Sequence, residues 1–216
     1  MRARWRRTLA VAGLVALTLL GVAAWYALRM AGIGAAYQAK ILCSAVFVSG
    51  REPDAVLGED LGYPTIDYLG WFDARVDRAA GRVASSFLGL VTREAAYRPG
   101  LGCALALGGQ APPAWSGAYS PPAPLDPELP WPEGDGPVPA PPAPELEATL
   151  DAAFAEPDGA RPRRTRAVVV AHRGRILAER YAPGYDARTP LAGWSMTKSV
   201  LAVLLGVLVG EGRLAW

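Results

Sequence analysis

Residues 193–210 read GWSMTKSVLAVLLGVLVG, and the rest of the chain is best understood outward from them. From Val200 to Val209 no residue is charged, so this stretch is expected to be a helix buried on all sides at the centre of a domain. Ten residues are too few to cross a bilayer. At its entrance stand Ser195 and Lys198, three positions and hence one turn apart on the same helical face. A serine hydroxyl is a poor nucleophile until a base takes its proton, and lysine serves as that base only when burial drives its amine toward the neutral form. Arginine cannot substitute, because it stays protonated. The lysine is therefore informative: among 22 basic residues only Lys40 and Lys198 are lysines. With eight serines in the chain, chance supplies about 0.07 pairs at this spacing. A helix N-terminus also favours negative charge, so the Ser195 amide can help hold the oxyanion of a tetrahedral intermediate. Acyl transfer is the chemistry these residues suggest. The plainer alternative is a solvated Lys198 beside a helix-capping Ser195.

Immediately upstream, Ala167 to His172 and Arg175 to Tyr181 are strand-like, and Arg173-Gly174 between them has the length and the glycine of a tight turn. Before this hairpin, Glu145 to Ala155 places Leu146, Leu150 and Phe154 on one stripe of a short helix. From Pro112 to Pro144 the chain carries 13 of its 20 prolines. Missing amide donors and fixed φ angles exclude helix interior and sheet interior there, leaving an extended linker or strap. Residues 36–110 show short apolar stretches at Ile41 to Val48, Phe72 to Val76, Arg82 to Leu90 and Gly102 to Leu107, separated by glycines. These read as small strands, with one short helix at Pro53 to Leu57.

At the start, Thr8 to Leu28 runs 21 residues without a charge, about 31 Å of helix and enough to span a bilayer core. Arg2, Arg4, Arg6 and Arg7 precede it, while only Arg29 and Lys40 follow closely. The positive-inside bias leaves the N-terminus in the cytoplasm and exports the bulk of the chain to the periplasmic or extracellular side of the cell membrane. Trp25 and Tyr26 sit where an interfacial aromatic belt belongs. A cleaved signal peptide is the competing reading, supported by small residues around Ala23 and Ala24, although its apolar stretch is usually shorter. Both readings place Cys43 and Cys103 where disulfides persist, so the two can pair; two buried thiols are the alternative.

The balance of 22 basic against 20 acidic residues argues against nucleic-acid binding, which needs a concentrated basic face. With one histidine, His172, and no Cys or His neighbours at ligand spacing, no metal or other cofactor is expected.

The stretch GWSMTKSV, preceded by VVVAHRGRILAERYAPG and followed by LAVLLGVLVGEGRL, resembles the serine β-lactamase and penicillin-binding superfamily. The likeness is to its class C-like branch of β-lactamase-related serine hydrolases, which includes 6-aminohexanoate-dimer hydrolases and esterases. AKILCSAVFVSGRE and YRPGLGC also look like the leader region of membrane-attached members. The resemblance implies an α+β fold, an antiparallel sheet flanked by helices, with Ser195 as the acylated nucleophile, Lys198 as its proton acceptor and Trp194 bordering the pocket. Such members also use a Tyr-x-Asn or Ser-x-Asn motif and a Lys-Thr-Gly or His-containing variant. This chain has no asparagine and no third lysine, and 18 residues follow Lys198. Tyr181 and Tyr185 precede the nucleophile and do not match the family's tyrosine.

The expected organisation is thus a membrane anchor at 1–35 with its helix at about 8–28, a small β-rich extracytoplasmic segment at 36–110 and a proline-rich linker at 111–144. The start of a β-lactamase-related catalytic domain occupies 145–216, the chain being the N-terminal portion of a longer hydrolase and inactive alone. Two functions from different classes follow. One is a membrane-anchored serine hydrolase attacking an amide, lactam or ester in a small or peptide-like substrate; the other is a non-catalytic envelope module that binds or supports.

Overall fold

The first helix, α1, runs unbroken from Arg2 to Phe47, and two different sequence patterns make its two halves. Through the apolar half the side chains face outward, Leu14 and Leu17 being 65% and 68% exposed. From Ala31 onward, Ala35, Ala39, Leu42, Cys43 and Val46 recur at helical spacing and are buried. Ile41 to Val48, expected as a strand, is therefore the end of this helix and the residue that follows it. Its isoleucine and valines favour strand locally, but the 3.6-residue recurrence of small side chains is what lets a sheet approach the helix, and packing overrides propensity. Coordinates come from a computed structural model, which describes residues 2–63, 65–106, 110, 120–137 and 143–215. Among these, α1 is the one helix long and apolar enough to cross a membrane.

The sheet that α1 packs on is an antiparallel meander of β1 (Phe72–Asp77), β2 (Arg82–Phe87), β3 (Val91–Arg98) and β4 (Gly102–Leu105), in that order. Three of these match the expected strands at 72–76, 82–90 and 102–107, except that Leu107 lies outside the described residues and the second strand stops at Phe87. Leu88 and Gly89 there take φ of 49° and 72°, a tight turn closed by the Leu90 amide donating to the Phe87 carbonyl at 2.9 Å. The charged strand β3 was not expected; only Ala95 of its eight residues is buried, too little alternation to be legible. Before the sheet come α2 (Pro53–Glu59), where a helix was expected, and an unexpected 3-10 turn, Asp67–Trp71.

Val83, Ser85 and Ala95 face α1 and are fully buried. Ser85 is polar in this core, and its hydroxyl donates to the Gln38 amide oxygen at 2.6 Å while the Gln38 amide donates to the Leu69 carbonyl at 3.1 Å. Helix, sheet and 3-10 turn are thus joined by one buried chain of bonds. Cys43 and Cys103 form a disulfide with Cα atoms 6.1 Å apart, tying α1 to β4 across a separation of 60 residues. Closing such a loop stabilises the folded form by about 4 kcal/mol in the chain-entropy picture.

Within the proline-rich stretch, β5 (Asp126–Pro130) and β6 (Gly134–Gly136) form a two-stranded pair, which has no interior strand for proline to interrupt. Pro112, Pro113, Pro139, Pro141 and Pro142 lie outside the described residues. Helix α3 (Pro144–Phe154) and the antiparallel hairpin β7 (Ala167–His172) and β8 (Arg175–Tyr181) stand where the sequence places them. Arg173 and Gly174 both take positive φ, 50° and 74°, as a two-residue turn matching the strand twist requires. Arg180 of β8 pairs with Glu147 and Asp151 of α3.

The last helix, α4, covers Met196–Gly210, as its apolar run predicts, but none of its residues is buried. Val203 is 67% exposed and Leu204 57%. The expectation of a helix buried on all sides is corrected here: nothing among the described residues packs over it. The architecture is α+β, with antiparallel pairing in β1–β4 and β7–β8 and a long apolar helix at its start.

Candidate active site

At the entrance of α4 the chain makes a sharp turn. Trp194 takes φ of 44°, an uncommon conformation for a bulky residue, and Ser195 follows in helical geometry as the N-cap. The Met196, Thr197 and Lys198 amides close short turns onto the Gly193, Trp194 and Ser195 carbonyls, and the Thr197 hydroxyl donates to Trp194 at 2.6 Å. The Ser195 amide closes no such turn. The one-turn spacing brings Lys198 Nζ to 3.0 Å from Ser195 Oγ, with the ammonium donating to the hydroxyl. That distance also serves the reverse transfer, from hydroxyl to neutral amine. The structure thus brings the two expected site residues together. It does not provide the dehydration expected at Lys198, because Ser195 and Lys198 are both exposed.

Trp194 lies against Tyr37 of α1, ring centroids 6.0 Å apart, which connects this turn to the first helix. It also lines a cleft of about 650 Å³ between α1, the end of α2 and the segment from Arg163 to Ala167, whose walls do not include Ser195 or Lys198. Inside it Arg51 and Arg166 share the carboxylates of Glu59 and Asp60. Lys40 donates to Ser44 Oγ at 2.8 Å, and burial lowers its pKa from the ordinary lysine range. This second Lys–Ser pair was not read from the sequence, although the scarcity of lysine points to Lys40 as much as to Lys198. It sits on the interior of α1, where the amides are committed to the helix, so no free donors are left for an oxyanion.

The tyrosines near the hairpin are occupied otherwise. Burial, and the bond that the Tyr181 phenol donates to Glu179 at 2.9 Å, push its pKa up to about 12 and keep it protonated. Tyr185 lies under the Arg166 guanidinium, 5.7 Å from its ring centroid. No group of three or more His, Cys, Asp or Glu residues placed to hold a metal occurs among the described residues. Set against protein-family models, curated proteins and solved structures, the chain matches none.

Proposed function

We propose that the chain is a membrane-anchored serine hydrolase of the β-lactamase-related group, acting through an acyl-enzyme on an amide, lactam or ester. The observation that carries this reading is the 3.0 Å contact between Ser195 Oγ and Lys198 Nζ at a helix N-terminus. In the reaction the Ser195 hydroxyl attacks the carbonyl carbon as its proton passes to neutral Lys198, and the oxyanion is met by the Ser195 amide and the positive helix end. Lys198 then returns the proton to the leaving group, and water releases the acyl group by the reverse path. The amine must be dehydrated for this, so the reading requires a cover over α4 supplied from outside the described residues. The cell membrane is the proposed location, with the N-terminus cytoplasmic; the disulfide between Cys43 and Cys103 agrees with an exported bulk.

Treating the intact gene product with a fluorophosphonate probe and locating the adduct by mass spectrometry tests the reading. Labelling is expected at Ser195, abolished in Ser195→Ala and lost by orders of magnitude in Lys198→Arg with the fold retained. An adduct that persists unchanged in Ser195→Ala ends the assignment. The exposure of Lys198 favours a second reading, a non-catalytic envelope module in which Ser195 only begins the helix. That module forms no adduct at all.

A further inference from the structure

The apolar run of α1 ends at Leu28, and the sheet begins to cover the helix within one turn of that point. Gly32 comes so near β3 that a Cβ there would stand 2.9 Å from the Arg93 guanidinium and 3.6 Å from Val91, while Phe47 stacks on Tyr97 at 5.5 Å. Helix and strand therefore run in the same direction. Between these two contacts α1 rises about 22 Å and β3 about 20 Å, so their levels correspond along the whole length. The turn Leu88 to Leu90 precedes Val91 and falls one or two strand residues nearer the start of α1, about level with Leu28 to Met30. The neighbouring strand reaches the same level, since Phe72 pairs with Phe87 and a Cβ at Gly34 would stand 2.9 Å from the Phe72 ring. Trp71 precedes Phe72.

The rim at that level is apolar and uncovered: Trp71 is 72% exposed, Leu88 69% and Leu90 71%. Three large apolar side chains at one end of a small sheet need an explanation. We propose that Trp71, Leu88 and Leu90 form a membrane-docking rim that inserts into the headgroup and acyl boundary beside the point where α1 leaves the bilayer. Lipid fits better than a protein partner because the rim stands level with the end of the outward-facing apolar run of α1, and because exposed Arg93, whose guanidinium lies against Gly32, stands behind it at phosphate level. Tryptophan suits this depth, with an apolar body and a polar N–H. The sheet is then held upright on the membrane by two attachments, the helix and the rim.

This inference rests on the reading of α1 as a membrane anchor, and its test separates the two. In the intact chain reconstituted into phosphatidylcholine vesicles, an environment-sensitive fluorophore is placed on Leu88→Cys, on Pro99→Cys at the far end of β3, and on Leu17→Cys within the apolar run. The Leu88 probe is expected to be quenched several-fold more by lipid carrying a nitroxide near the headgroup than the Pro99 probe, and to be shielded from aqueous iodide. Should Leu88→Cys fail to fold, Trp71→Cys gives the same comparison. Leu17 quenched by deep nitroxides with Leu88 open to iodide overturns the rim alone. Shielding of Leu88 from both quenchers means a protein covers it and overturns the rim as well. Absence of lipid quenching at Leu17 removes the anchor, and the rim with it.

Discussion

Ser85 illustrates how one side chain can decide a core. Its hydroxyl is the donor that satisfies Gln38, which in turn holds the Leu69 carbonyl, all three residues being buried. Ser85→Ala is expected to cost about 1–3 kcal/mol, because the Gln38 oxygen is left buried without a partner; a denaturant melt measures this, and a loss no larger than that of a surface substitution contradicts the network. Lys40 carries a cost of the opposite kind. Its folded pKa is lowered by burial, so the penalty for holding an ammonium there is present at neutral pH and fades as pH rises through the lowered value toward the ordinary lysine range. Lys40→Met should accordingly raise the melting midpoint at neutral pH, with the gain vanishing above the ordinary lysine range. A gain that is independent of pH means packing and not charge is responsible. Lys198, one of the chain's two lysines, was the residue the sequence singled out, but the lysine that the fold partly buries is Lys40. Scarcity of a residue type is visible in a sequence; which copy the fold partly covers is not.

At the level of elements, α1 depends on close approach to the sheet. A side chain at Gly34 would meet the Phe72 ring, whereas at Gly21 it would meet open space. Gly34→Val is expected to destabilise by about 1–3 kcal/mol through overpacking, and Gly21→Val to leave the melt of the sheet unchanged; equal effects at the two sites refute the packing account. The hairpin β7–β8 and the start of α4 were legible because their signals are local: alternation on either side of Arg173-Gly174, and an apolar run opening at Ser195. The end of α1 was not. Ile41, Val46 and Val48 speak for a strand over a few residues, and only the longer recurrence of Ala31, Ala35 and Ala39 outweighs them.

For the molecule as a whole, the disulfide is the strongest single tie between α1 and β4. Replacing Cys43 and Cys103 together with serine should lower stability by about 4 kcal/mol, as a melt in the absence of reductant against the native chain would show. A much smaller loss implies that the helix and sheet already constrain each other in the unfolded chain. By itself the sequence determined the charge-free run of Thr8 to Leu28, the hairpin turn at Arg173-Gly174, the pairing partners available to Cys43, and the one-turn spacing of Ser195 and Lys198. Each follows from composition, periodicity or turn chemistry within a few residues. Only the tertiary structure decided that α1 continues to Phe47, that Lys40 is the partly buried lysine, and that among the described residues the apolar α4 stands uncovered with its Ser–Lys pair exposed. Burial depends on which surfaces meet across distant parts of the chain, and an apolar segment specifies that it must be covered without specifying by what.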